Sequence, residues 1–238
     1  IGKDAAYNMT SGDDNVAVGF IALQALTSGK HNVAVGSNAG IAITTGLRNT
    51  VLGYTAGDGF ASQNDNVLIG YDAGGGGSYA ANENVFIGSE CGGLAEGGDA
   101  NIAIGYHAIG VGALAGDQNV AIGYASGQQL TSAEYNTFVG GSTGLALTTG
   151  DRNVAIGTFA FDAADGAESD NIAIGVDAMG AADGTNVVRN IAIGSYALDD
   201  AMTYGQEVAI GYGAMGTWTG AGSGTDAKGY NVAIGAGA

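Results

Sequence analysis

Histidine, cysteine and carboxylate side chains carry most enzyme chemistry, and along these 238 residues their types and spacing offer little of it. The two histidines, His31 and His107, stand about four to five repeats apart, too far to cooperate. There is no GxSxG elbow and no His-containing carboxylate cluster in the sequence, so neither a nucleophile–base pair nor a zinc site is signalled. Cys91 is alone, which excludes a disulfide framework and a CxxC pair; it falls in a column of small residues and reads as a buried, inert thiol. The run Gly74-Gly75-Gly76-Gly77 has neither the lysine nor the helix of a phosphate loop.

The acidic corners, Asp13 and Asp14, then Asp162, Asp165 and Asp170, then Asp199 and Asp200, are the best ligand candidates. Oxygen-rich loops can hold calcium, although the spacing fits neither an EF-hand nor a nine-residue calcium roll; a solvated acidic surface is the alternative. With 23 acidic against 6 basic side chains and a net charge of -17, the chain repels nucleic acid and anionic lipid, which excludes both as partners. No apolar run reaches the roughly 20 residues of a membrane-spanning helix. Tyr54, Tyr71, Tyr106, Tyr124 and Tyr212 all follow a recurrent glycine, as Phe20 does. They are candidate ligand-facing aromatics that could stack on sugars, or they cover the edge of the coil.

The elements that hold these residues follow from one phrase, Asn-Val-Ala-Ile-Gly with small variations, which recurs from end to end. Its glycine stands at Gly19, Gly36, Gly53, Gly70, Gly88, Gly105, Gly123, Gly140, Gly157, Gly175, Gly194, Gly211 and Gly235, mostly 17 to 19 residues apart with one step of 24 at the end. So steady a period predicts an all-β parallel β-solenoid of about 13–14 coils, a single repeat domain over residues 1–238, with each repeat one coil. Thirteen steps at about 4.8 Å would give a rod of roughly 60 Å. The phrase is already under way at Ile1-Gly2, so the chain is expected to be a segment of a longer fibre.

With the Asn numbered as position 1, that column holds Asn15, Asn32, Asn49, Asn66, Asn84, Asn101, Asn119, Asn136, Asn153, Asn171, Asn190 and Asn231, with Glu207 the exception. Identical amides at the coil spacing are expected to form a hydrogen-bonded ladder. Position 2 is always β-branched and position 4 always Val, Ile or Leu. Side chains two apart on a strand share a face, so positions 2 and 4 are expected to form the buried wall. Position 3, usually Ala, then faces outward, yet it is apolar throughout. Strands apolar on both faces are covered on both. Another copy of the chain would cover it, or the coil's own return segment. Position 5 is always Gly, for a positive φ or a close backbone approach. Position 8 is small, and is expected to lie on a second, shorter strand.

The phrase Asn-Val-Ala-Ile-Gly-x-x-Ala, as at 32–39, 153–160 and 171–178, resembles the head repeats of trimeric autotransporter adhesins (YadA-like heads) and related repeats of phage and virus fibres. The resemblance implies a left-handed parallel β-roll, a side-by-side homotrimer, and display on a cell surface or virion for attachment to a glycan or protein receptor. The repeat here is longer than the family's, and Asn replaces its usual Ser, which leans the reading towards a tail fibre rather than a bacterial adhesin head. The expected role is structural and adhesive, without catalysis or a cofactor. Two other readings fit less well. A left-handed β-helix acyltransferase would show three hexads per coil and a suitable His, and an ice-binding solenoid would show a flat Thr face.

Overall fold

The computed structural model describes residues 1–76, 81–93, 96–182, 187–199, 205–216 and 230–238. They fall into two compact units, residues 1–118 and 119–238, each an all-β parallel solenoid; no helix occurs among the described residues. Each full coil contributes one three-residue strand at positions 2 to 4 of the repeat. The first unit contains β1 (Val16–Val18), β2 (Val33–Val35), β3 (Thr50–Leu52), β4 (Val67–Ile69), β5 (Val85–Ile87) and β6 (Ile102–Ile104). The second contains β7 (Val120–Ile122), β8 (Thr137–Val139), β9 (Val154–Ile156), β10 (Ile172–Ile174), β11 (Ile191–Ile193), β12 (Val208–Ile210) and β13 (Val232–Ile234). Within each unit consecutive strands pair in parallel and in register, so that Val33 stands opposite Thr50 and Ile172 opposite Ile191. Asp200 and Gly77 lie outside the described residues.

The burial of the strands is the reverse of the sequence expectation. Position 3 points inward: Ala34, Val51, Leu68, Phe86, Ala103, Ala121, Phe138 and Ala155 are fully buried. Positions 2 and 4 point outward and are half-buried or exposed, as at Val33, Leu52, Ile102 and Ile156. Alternation establishes that positions 2 and 4 share a face, not which face is inside, and here both faces are apolar. The thickness of the coil decides. Each strand lies against its own return segment, so the inward column takes alanine or one larger side chain, and the β-branched residues are left outside. The coil itself covers position 3; no second copy is needed there. The segment after the glycine is a series of turns, not a second strand. Position 8 is nevertheless buried, as at Ala22, Ala39, Ala160 and Ala178.

In most coils bulk is exchanged across the two walls of the interior. Where position 3 is large, position 9 on the facing segment is glycine: Val51 with Gly57, Leu68 with Gly74, Phe86 with Gly92, Phe138 with Gly144. Where position 9 is Leu23, Ile109, Phe161, Met179 or Leu198, position 3 is Ala. A Cβ on Gly144 would lie 2.7–2.8 Å from three atoms of the Phe138 ring. Most coils thus hold one large side chain at this level, reaching in from either wall, as close packing requires. In the two coils small on both walls, Ala34 with Gly40 and Ala121 with Gly127, the space beside the glycine is taken by Leu23 and Ile43 and by Leu130 and Phe138.

The turns that return the chain use a left-handed backbone. In most coils a non-glycine residue has φ near +55° just before the Asn and again at position 7, as at Arg48 (58°) and Thr55 (53°). Position 9 is left-handed too, whether glycine or not: Gly144 has φ 57° and Phe161 φ 57°. Each such non-glycine residue costs about 1–2 kcal/mol, so the coil depends on its neighbours to hold the conformation. The invariant glycine at position 5 meets both demands read from the sequence. Gly53 has φ 145°, and a Cβ there would be driven into the carbonyl of Gly70 in the next coil.

The amides of the Asn column supply much of the restraint. Asn32 N–H donates to Asn15 Oδ1 at 2.9 Å and Asn32 Nδ2 to the same oxygen at 3.1 Å. Its remaining N–H reaches the Gly46 carbonyl at 2.7 Å. The second unit repeats this: Asn136 and Asn153 each donate from backbone and side chain to the preceding Oδ1, and from Nδ2 to the carbonyl of Gly150 or Glu168. Both lone pairs and both protons of the amide are engaged, which lets a buried Asn pack without an unsatisfied group. At Glu207 a carboxylate takes over the acceptor role for Asn231, at 3.0 and 3.1 Å.

Candidate interaction face

Because positions 2 and 4 point outward, each unit carries two adjoining aliphatic columns on its sheet face. Val33 and Leu52 in the first unit, and Ile122, Ile156 and Ile193 in the second, are all 36–44 % exposed. Polar side chains enter these columns only at Thr50 and Thr137. Isolated exposed aliphatics are ordinary; repeated in register on every coil they form a continuous apolar face of the kind that marks interaction sites.

The column after the glycine borders this face. Tyr54, Tyr71, Tyr106, Tyr124 and Tyr212 are all exposed, with Phe20 and Val176 in the same column. Tyr54 and Tyr71 stack with centroids 5.8 Å apart and planes 10° from parallel. Tyr196, one position further along its coil, meets Tyr212 edge-on at 5.7 Å. Aromatic side chains are not needed to form the turn. Ser37, Ser89 and Thr158 occupy the same column behind glycines whose φ, 142°, 142° and 137°, matches the 145° and 140° of Gly53 and Gly70.

One position further on, successive coils of the first unit present Thr55, Asp72, Glu90 and His107. His107 Nε2 lies 2.6 Å from Glu90 Oε2. Sequence reading found no His-containing carboxylate cluster; the structure adds a His–Glu pair, because the two residues are one repeat apart and the stack brings them together. Nδ1 of His107 is buried with no hydrogen-bond partner, so the pair lacks the third group that orients a catalytic base. Burial, together with Asp58 and Glu90 nearby, raises the Asp72 carboxyl above its ordinary range.

The corners before the Asn column carry a second ladder that sequence reading missed. Leu47 N–H donates to Asn64 Oδ1, Asn64 N–H to Asn82 Oδ1, Asn82 N–H to Asp99 Oδ1 and Asp99 N–H to Asp117 Oδ1, at 2.7–2.9 Å. These acceptors sit on the following coil, whereas in the Asn column they sit on the preceding one. Its signal in the sequence was an Asn or Asp two residues before four successive phrases. Nearby, Lys30–Asp13, Arg48–Asp65 and Arg152–Asp170 pair across adjacent coils, and the cation holds each of these aspartates below its ordinary range.

The other candidates stand apart from this face. Asp162 and Asp199 both approach the space over Gly180, and burial with Asp177 and Asp199 nearby raises the Asp162 carboxyl. Among the described residues no three His, Cys, Asp or Glu side chains are grouped to hold a metal ion. The Cys91 thiol is buried, donates to the Ala103 carbonyl at 3.1 Å, and is pushed up to about 12. In the glycine run, Gly76 N–H is taken by Asp58 Oδ1 at 3.1 Å, the opposite of an anion site. The fold and face therefore define a parallel β-solenoid with an apolar outer face. Compared with family models, curated proteins and solved structures, the chain matches none.

Proposed function

We propose that this chain is a structural and adhesive segment of an extracellular or virion fibre, in which copies pack side by side through the aliphatic columns of positions 2 and 4. The observation that carries this reading is that those columns face outward on every coil, half-buried or exposed, in a chain with a net charge of -17. An acidic protein gains solubility from charge, and a continuous aliphatic face works against that gain unless it is covered. A partner with the same periodicity covers it along its whole length, and another copy has that periodicity by construction. Three copies around one axis, each a left-handed β-roll, is the arrangement implied by the resemblance of the repeat to adhesin heads and tail fibres. In it the chain provides rigidity and multivalent contact with a surface glycan or protein, without catalysis.

The test is sedimentation of the chain at micromolar concentration, beside variants carrying Val33→Asp and Ile156→Asp. Both side chains lie outside the coil interior, so circular dichroism of the variants should match the parent. The expected result is a trimeric parent and dissociated variants. A folded parent that sediments as a monomer would sink the proposal.

A further inference from the structure

The first unit offers more than a face for self-association. In its post-glycine column the order is Tyr54, Tyr71, Ser89, Tyr106. Tyr71 is 54 % exposed and its inner face is taken by Tyr54; with the rings near parallel, its other face looks along the column towards Ser89. Ser89 stands where its neighbours carry aromatic rings. An opening one coil wide is left between Tyr71 and Tyr106, about 9.6 Å from coil to coil, or two steps of the stack. Along its side run Thr55, Asp72, Glu90 and His107: the Thr55 hydroxyl donates to the Tyr54 carbonyl at 2.7 Å, and Glu90 pairs with His107.

The chemistry of the opening limits what fits it. Its end wall is an aromatic face, which prefers a flat, weakly polar surface. Its side presents the Glu90 carboxylate, which accepts hydrogen bonds and repels anions, while the Asp72 carboxylate turns in against Gly75. Glu90 Oε2 is already engaged by His107 Nε2 at 2.6 Å, which leaves the other carboxylate oxygen to accept from a hydroxyl. A pyranose has both an apolar C–H face and a rim of hydroxyl donors. We propose that the opening between Tyr71 and Tyr106, floored by Ser89 and flanked by Glu90, binds a neutral saccharide. This deepens the attachment reading above and rests on it only for the ligand being displayed on a surface.

Ser89→Tyr gives the cleanest test, because the column accepts Tyr in neighbouring coils without a change of backbone. The full chain, Ser89→Tyr, Tyr71→Ala and the control Tyr212→Ala are applied to an array of neutral, sialylated and sulfated oligosaccharides with an oligolysine peptide. The best neutral glycan is then titrated by calorimetry. The expected outcome is binding of neutral glycans, lost in Ser89→Tyr, weakened about fivefold in Tyr71→Ala and unchanged in Tyr212→Ala. No neutral glycan bound, preference for the anionic glycans or the peptide, or binding indifferent to Ser89→Tyr would each overturn it. Sedimentation of the same samples keeps the two proposals separate. A trimer without glycan binding refutes only the saccharide site, and glycan binding by a monomer refutes only the side-by-side assembly.

Discussion

Exchange of bulk across the coil interior can be tested with a double-mutant cycle at Phe138 and Gly144. Phe138 is fully buried, and truncating a core Phe to Ala costs about 3–5 kcal/mol. Gly144→Leu alone drives a side chain into that ring, with a Cβ 2.7–2.8 Å from three ring atoms. Overpacking costs about 1–3 kcal/mol, and a side chain at φ 57° adds about 1–2 kcal/mol. Simple addition makes the double variant about 5–10 kcal/mol less stable. Coupling changes this, because Phe138→Ala with Gly144→Leu beside Leu147 reproduces the set Ala17, Leu23 and Leu26, in which Leu23 has φ 51° and all but Ala17 are fully buried. The clash is gone and the cavity is filled. Only the cost of the left-handed leucine and imperfect packing remains, about 2–4 kcal/mol. Chemical denaturation of the four proteins at one protomer concentration measures the cycle, since assembly would otherwise shift apparent stability. Thermal scans should follow at about 2–4 °C per kcal/mol for a chain of this size. Additive single effects, or a double variant less stable than both singles, would refute the idea that the two walls share one volume.

Other substitutions read other layers of the coil. Asn136→Ala removes the acceptor for Asn153 N–H and Nδ2 and the donor to Gly150 and Asn119, leaving buried groups unpaired; a loss of at least about 3 kcal/mol is expected, with faster amide exchange concentrated in the coils of β8 and β9. Gly157→Ala puts a Cβ against the Gly175 carbonyl at φ 137°, so the folded yield should fall sharply while Ser89→Ala, one position after such a glycine, leaves it unchanged. Asp162→Asn should stabilise the protein at neutral pH. Its carboxyl is raised in the fold, so the native state favours the protonated form, and that contribution is full below the ordinary aspartate pKa and lost as pH rises through the raised value. Denaturation at several pH values should show the advantage of the Asn variant shrinking as the solution is acidified.

The period of the repeat made the parallel stack legible, because identical residues one repeat apart have few other ways to be placed alike. The chemistry of the Asn column could be read for the same reason. The inside and outside of the strand could not be read from hydrophobicity, since Val33 and Ala34 are both apolar and the decision rests on how much room the return segment leaves. The signal was present in the pairing of Phe86 with Gly92 and of Ala155 with Phe161, which only makes sense if position 3 and position 9 meet. The His107–Glu90 contact and the ladder from Asn64 to Asp117 were also encoded, as residues one repeat apart. Finding them requires comparing whole columns, where local motifs show nothing.

The reversal of the strand strengthens the case for assembly and moves it to another surface. Had position 3 faced outward, the coil would have presented mostly alanine, a shallow surface that adds little apolar area per contact. Positions 2 and 4 present Val, Ile and Leu, with more area per residue and branched shapes able to interdigitate with a second sheet face. The acidic turns lie elsewhere on the coil, at Asp162, Asp177 and Asp199, where carboxylates already crowd one another and contact between copies would bring more like charge together. On the side-by-side assembly proposed above, approach by the acidic turns is discouraged and approach by the aliphatic face is favoured, a combination that would select a closed assembly of few copies over open aggregation. Raising the ionic strength should therefore weaken the discrimination, and with it the uniformity of the assembled species, before it weakens the aliphatic contact itself.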